Sequence, residues 1–470
     1  MSAMMTLAHA AELIPGAALV GDGATPIHRV HTDTRTIESG DLFVALQGER
    51  FDANDMLHEA LTKGAAAVLC HAGLPASAYP SGLPRIEVAN SKLALAALAT
   101  GWRAQFELPV IAVTGSNGKT TVTQMIASIL HTYAPDSAAL ATVGNFNNDI
   151  GVPLTLLRMR AQHRIAVVEL GMNHPGEIAV LAAMARPTVA LVNNAQREHL
   201  EFMHTIEAVA RENGSVLTSL PEEGTAVFPA DDDYAALWRD LSAGRVVSTF
   251  ARTDSSANCV VRSARWQDGA WQVVAGTPLV ELRYGLAIAG RHNVKNSLAA
   301  AACALAAGVP PATVERGLEA FVPVKGRCRA MHVRHGALDF TLVDDTYNAN
   351  PDSMRAAIDV LADLPGPRLL VMGDMGEVGE QGPAFHAEAG RYARDAGIEH
   401  VLALGGSSSH AVQEMPGARH FKDVADLNAA ALALVPVVAS VLVKGSRFMR
   451  MERVVEALSA RPAQEVAGHA

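Results

Sequence analysis

The stretch Gly115-Ser116-Asn117-Gly118-Lys119-Thr120-Thr121 carries the residue types that grip a nucleotide polyphosphate. The two glycines remove side chains that would hold backbone N–H groups away from phosphate oxygens, and the following helix start adds the positive end of its dipole. Lys119 supplies a point charge for the β and γ phosphates, and Thr120 places a hydroxyl where a nucleotide-bound Mg²⁺ needs an oxygen ligand. The usual phosphate loop has four residues between its glycines; here only Ser116 and Asn117 intervene, a spacing that an ordinary glycine turn also meets. Context argues for the phosphate loop. Residues 110–113 are an apolar, β-branched run, and Val122, Met125, Ile126 and Ile129 follow at helical spacing. Further on, the apolar run 165–168 ends in Glu169. Ligands of open parallel sheets collect beyond the carboxyl ends of strands, so this carboxylate is the first choice for a Mg²⁺ ligand.

The elements that position these groups occupy a chain of 470 residues, long enough for about three domains. Half of the residues are hydrophobic but only 5% are aromatic, so the cores rest on Ala, Val and Leu, as in helix-covered parallel sheets. A formal charge of -10 argues against a sequence-independent grip on nucleic acid. Cys70, Cys259, Cys303 and Cys328 are scattered and form no C-x-x-C pair, which suggests neither a zinc site nor a disulfide framework. The N-terminus has no basic stretch before its apolar residues, and no apolar run has a membrane-spanning length. A cytoplasmic protein without membrane insertion is expected.

Strand-like and helix-like runs alternate along most of the chain. Residues 1–105 read as a small α/β domain, with strands at 41–46 and 65–70 and helices at 56–63 and 91–102. Residues 106–325 read as a central ATP-binding domain with a mostly parallel sheet of the P-loop ATPase kind. In it, 144–153 is too turn-rich for an element interior, and 154–159 is helix-like. Asp231-Asp232-Asp233 reads as a solvated helix start, because adjacent carboxylates do not converge on one ion. A helix from 291 through 305 puts Asn293 and Asn296 on one face. Residues 321–329 have linker composition. Residues 326–470 read as a C-terminal Rossmann-like, doubly wound domain without the G-x-G-x-x-G fingerprint of dinucleotide binding.

The shortened loop TGSNGKTT resembles the ATP loop of the Mur ligase superfamily, and motifs in the same order resemble that superfamily over essentially the whole chain. The strings NNDIGVP, ELGMNHPGEI and DDTYNANPDS resemble the branch that adds D-alanyl-D-alanine. The resemblance implies that Thr34 and Arg35 hold the uridine diphosphate of the substrate, and that Asn147, Asn148, Tyr347 and Asn348 contact the substrates. It implies that Asn293 and Asn296 face the adenine, that Arg327 reaches ATP phosphate across the cleft, and that Asp345 holds the ribose. His199 is implied as a ligand of a second Mg²⁺, with Lys119 and Glu169 completing the catalytic set. Two departures stand out: Ala53-Asn54 where the family often has Gly-His, and Asn213 where many members have a lysine whose carbamate serves the second metal. An amide forms no carbamate.

The implied reaction is an ATP- and Mg²⁺-dependent amide ligation of D-alanyl-D-alanine to UDP-N-acetylmuramoyl-tripeptide. It proceeds through an acyl phosphate and forms the pentapeptide precursor of peptidoglycan. A monomer is expected, with Lys119 facing solvent and closure bringing Arg327 and Asp345 onto ATP. Two other readings stay open. One is another superfamily ligase, of the MurE or folylpolyglutamate synthase kind; the other is an ATP-driven switch protein.

Overall fold

Strands made wholly of buried residues, such as Val110–Thr114, Ile165–Glu169 and Val189–Val192, require helices on both faces of their sheet. The computed structural model, which describes residues 3–267, 269–335 and 338–460, supplies them. It is α/β throughout, with three main sheets in chain order; the C-terminal region, expected to run to 470, is described to 460.

The first sheet has the order Ala18–Val20, Arg85–Val88, Ala67–His71, Asp41–Val44, Arg29–His31, and only its first pair is antiparallel. The central nine-stranded sheet places Val110–Thr114 between Ile165–Glu169 and Val189–Val192, all parallel. Its far edge ends in the antiparallel strands Cys259–Gln267, Ala270–Gly276 and Glu281–Leu286. The third sheet runs Arg329–His335, Leu338–Asp345, Ser440–Lys444, Arg368–Gly373, His400–Leu404, Arg419–Phe421, parallel except for the first pair.

Alternation along the central strands feeds two cores. Ile111 and Val113 face the helices Lys119–Tyr133 and Arg291–Ala306, in a cluster that continues into Met354, Ile358 and Leu361 beneath the third sheet. Val110 and Ala112 point the other way, into a cluster with Leu95, Leu98 and Trp102 of the helix Ser91–Arg103. This helix is pinned to the central sheet by Arg103, whose buried guanidinium donates to the carbonyls of Ala185 and Arg186. Burial without a carboxylate partner pulls its pKa down to about 10.

Two local expectations need correction. The turn-rich stretch 144–153 already contains the start of a helix, Gly151–Leu156, with Pro153 in its first turn, where no intrahelical N–H is missed. Asn148 Oδ1 accepts the N–H of Gly151, the first residue of this helix, at 2.9 Å. The acidic triplet is not simply solvated. Asp231 pairs with Lys295 at 2.5 Å, and Asp232 is half-buried and accepts the N–H of Tyr234, with burial raising its carboxyl above the ordinary range. No helix among the described residues is long and apolar enough to cross a membrane.

Candidate functional site

The carboxyl ends of the central strands open into a cleft of about 1340 Å³ that the third sheet's loops close from the other side. Strand Val110–Thr114 delivers the glycine loop, and the helix Lys119–Tyr133 starts at Gly118 without a side-chain cap. Its first N–H groups are therefore turned toward the cleft as a ready anion site.

The loop's glycines are required by packing as well as by phosphate. Gly115 has φ +130° and a Cβ there would meet the Asn193 backbone nitrogen at 2.9 Å; Gly118 has φ +82° and its Cβ would meet Asn193 Nδ2 at 2.8 Å. The next parallel strand end grips the loop directly. Ser116 N–H donates to Asn194 O, Asn117 N–H donates to Asn194 Oδ1, and Asn193 Nδ2 donates to Asn117 O.

Glu169 is the last residue of its strand and 1% exposed. Its Oε1 accepts the Thr120 hydroxyl at 3.1 Å and Asn147 Nδ2 at 2.7 Å, while Oε2 is buried without a hydrogen-bond partner. Thr120 Oγ1 also accepts Arg327 at 3.1 Å. A hydroxyl beside a carboxylate with a free oxygen is a hard-oxygen pair that suits Mg²⁺, an ion that completes its shell with water and phosphate. Among the described residues no group of three or more His, Cys, Asp or Glu side chains is placed to hold a metal ion. The pair fits a nucleotide-borne Mg²⁺, an ion that takes one or two protein oxygens and keeps waters and phosphate in its shell.

Lys119 is not solvent-facing, contrary to expectation. Its side chain is 15% exposed, and Nζ donates to Gly115 O at 2.6 Å, Ser116 O at 3.0 Å and Glu198 Oε1 at 2.6 Å. Glu198 itself is 8% exposed, and its Oε2 is an unpartnered buried atom. His199 stands between two carboxylates, with Nε2 3.7 Å from Glu198 Oε1 and Nδ1 2.7 Å from Glu377 Oε2, the latter not aligned as a hydrogen bond. The imidazole holds the Glu377 carboxyl below its ordinary range.

Ser116, Thr121, Asn148, Asn293, Asn296, Tyr347 and Asn348 also line the cleft. Asn296 Nδ2 donates to Asn293 Oδ1 at 2.9 Å, and its own Oδ1 accepts Asn193. Arg327 lies over the Tyr347 ring at 3.9 Å. Asp345 is engaged by Lys444 Nζ at 2.6 Å and by the Cys328 N–H at 3.1 Å.

Thr34 and Arg35 lie in a 3₁₀ turn just after the strand Arg29–His31 of the first sheet, outside the cleft lining. The Arg35 fork, expected free for phosphate, is closed on Asp33, which it holds down at about 2. Asn54, at the position of the first departure, is buried and accepts the His71 N–H, so it anchors the loop to the strand end. Asn213, at the position of the second, is 1% exposed behind the loop. Its Oδ1 accepts the Thr114 hydroxyl at 2.7 Å and the Gly115 N–H at 3.1 Å.

Sequence reasoning missed Glu198, Glu377 and Arg197. Arg197 and Glu198 directly precede His199 in the chain, but no spacing marks Arg197, Glu198 or Glu377 as functional. Arg197 crosses to the third sheet's side, where it contacts Asp352 at 2.6 Å and Glu388 at 2.8 Å. Burial opposes its charge, but these hydrogen bonds raise its pKa above the ordinary value.

Three Mur ligase regions match the chain: the family's catalytic domain at residues 26–103, the middle domain at 113–304 and the glutamate ligase domain at 327–447. The UDP-N-acetylmuramoyl-tripeptide–D-alanyl-D-alanine ligase of Escherichia coli K12 is 40% identical over 432 residues, covering 91% of this chain and 93% of that one. That of Haemophilus influenzae is 38% identical, covering 94% and 96%. Among solved structures, a MurF crystal structure from Acinetobacter baumannii superposes with a TM-score of 0.89 at 33% identity, covering 97% of this chain and 98% of that one. MurF from Thermotoga maritima in complex with ADP gives 0.80 at 26% identity, covering 92% and 97%.

Proposed function

Because this chain belongs to the Mur ligase family, we propose that it joins D-alanyl-D-alanine to UDP-N-acetylmuramoyl-tripeptide at the expense of ATP, through an acyl phosphate, to form the pentapeptide precursor of peptidoglycan. The observation that carries this reading is the Thr120–Glu169 pair, with its free buried carboxylate oxygen, at an uncapped helix start in a cleft that loops of the third sheet complete.

Thr120 and Glu169 would hold a Mg²⁺ borne by the nucleotide, and that ion would supply charge neutralisation to the polyphosphate. The backbone N–H groups from Gly118 onward cradle the phosphates. Lys119 exchanges Glu198 for a phosphate oxygen, one anion for another, so its charge stays compensated throughout. Arg327, already on Thr120 Oγ1, delivers a second cation from the opposite side of the cleft. Asn147 and Asn148 flank Glu169 on the side where the tripeptide carboxylate approaches.

The carboxylate oxygen bonds to the γ-phosphorus and ADP leaves. The amine nitrogen of D-alanyl-D-alanine then bonds to the acyl carbon, loses a proton, and phosphate leaves. Water at about 55 M competes for the acyl phosphate, so the closed cleft contributes both alignment and exclusion, and alignment alone is worth roughly 7 kcal/mol or more. The Asn117–Asn350 and Arg197–Asp352 contacts hold the third sheet's loops over the phosphate site.

The deciding experiment is phosphate release from ATP with UDP-N-acetylmuramoyl-tripeptide, with and without D-alanyl-D-alanine, together with the product mass. Release that needs both substrates and yields the pentapeptide supports the proposal. Release with another amino acid moves the specificity within the family, and release with neither makes the protein an ATP-driven switch.

A further inference from the structure

We infer that Arg447 receives the C-terminal carboxylate of the incoming dipeptide and so makes a free carboxylate, at the end away from the reacting amine, a requirement of the acceptor substrate. The inference rests on the ligase reading above.

The reaction leaves one charge without a partner. D-Alanyl-D-alanine brings a carboxylate into a cleft that already holds an anionic polyphosphate, so that carboxylate needs a cation of its own. The glycine loop and Glu169 belong to the central sheet and serve ATP and the tripeptide, which leaves the third sheet's wall for the dipeptide. Among the described residues, the cations that this wall adds to the cleft lining are Arg327, Lys444 and Arg447. Arg327 is engaged on Thr120 Oγ1 at the phosphate site. The Lys444 side chain is 4% exposed, and its Nζ donates to Asp345 Oδ2 at 2.6 Å and to Asn348 O at 2.9 Å.

Arg447 is left with a fork to offer. Its side chain is 65% exposed and donates from Nη1 to Glu452 Oε1 at 3.0 Å; among the described residues Nε and Nη2 have no hydrogen-bond partner. An exposed pair of this kind is weak. It steadies the guanidinium by one edge and leaves the other edge open to a bidentate carboxylate.

The backbone beneath it is fixed. Arg447 opens the 3₁₀ turn Arg447–Met449, just past the strand Ser440–Lys444. The preceding residue, Ser446, donates its N–H to Asp374 O at 3.0 Å and its hydroxyl to Ala349 O at 3.0 Å, and it accepts the Gly376 N–H at 2.6 Å. Three neighbouring segments therefore hold the position from which a free side chain reaches the cleft.

Tyr347 gives the spacing. Its ring centre is 3.9 Å from Arg327 Cζ and 5.9 Å from Arg447 Cζ, so the two guanidinium carbons stand within about 10 Å of each other. An extended dipeptide spans about 7 Å. With the amine at the acyl phosphate, beside Thr120 and Arg327, the carboxylate comes within reach of Arg447.

The test compares D-alanyl-D-alanine with D-alanyl-D-alaninamide, which replaces the carboxylate by a neutral group of nearly the same size. For the wild-type protein the KM of the amide should be at least tenfold above that of the acid, and equal values overturn the inference without any variant. Arg447→Ala should raise the KM of the acid at least tenfold and leave that of the amide within twofold, so that the discrimination disappears. Arg447→Lys, which keeps the charge but loses the fork, should retain part of it. The KM values for ATP and UDP-N-acetylmuramoyl-tripeptide should stay within twofold in both variants. Discrimination that survives in Arg447→Ala overturns the inference, and so does a rise in either of those two KM values, which would assign Arg447 to another ligand. Wild-type protein that makes no pentapeptide would instead remove the ligase reading itself.

Discussion

Replacing Arg197 by alanine removes the main charged tie between the central sheet and the third sheet's side of the cleft. Its guanidinium donates to Asp352 Oδ1 from Nε at 3.0 Å and Nη2 at 2.6 Å, and to Glu388 from Nη1 at 2.8 Å and Nη2 at 3.0 Å. Hydrogen bonds to charged groups contribute about 1.5–3 kcal/mol each, but they are not additive here. The side chains are 18%, 22% and 28% exposed, so water compensates in part. Asp352 also keeps the Arg197 backbone N–H, and Glu388 keeps Arg355 at 3.2 Å. A net loss of about 2 kcal/mol in favour of the open arrangement follows, a shift of about 30-fold in the closed-to-open ratio. Small-angle scattering with an ATP analogue and UDP-N-acetylmuramoyl-tripeptide should show Arg197→Ala more extended than wild type, with Arg197→Lys in between because it keeps the charge but loses the fork. Superimposable scattering curves for wild type and Arg197→Ala would refute the assignment of this cluster as the latch.

Lys119→Ala should lower turnover by a factor of about 10³ or more, since one preorganised charge at a developing phosphoryl anion has that scale. Pentapeptide synthesis measures it, and near-normal turnover would exclude Lys119 as the phosphate cation. Asn213→Ala leaves the buried Thr114 hydroxyl and Gly115 N–H without their acceptor. A stability loss of about 2–5 kcal/mol is expected in denaturant titration, with weaker ATP binding because the loop entry is released. His386 is held neutral by burial, with its pKa lowered from 6.5. The unfolded chain then binds the extra proton first, so the stability it contributes is present above about pH 6.5 and is lost as the pH falls below that value. Melting curves between pH 8 and 5 should show this fall, and it should shrink in His386→Gln.

The linear order of residues determined the strand–loop–helix of the phosphate site, the acid at the end of the next strand, and the α/β class. Each depends on a local pattern: apolar strands, glycines that free the backbone, a hydroxyl one residue past a lysine. Asn148 shows the limit of such patterns, because a run of polar turn residues conceals that one of them accepts the first N–H of the helix after it. Tertiary structure decided what each charge faces. Lys119 reads as an exposed cation and is instead enclosed by two carbonyls and Glu198, a residue 79 positions away. Asn213 reads as a missing metal ligand and holds the loop from behind, and Glu377 gains its meaning only where the third sheet's loop comes within 2.7 Å of His199. Propensity and periodicity act over one or two turns of chain, whereas electrostatic pairing depends on separation in space, which only the packed sheets establish.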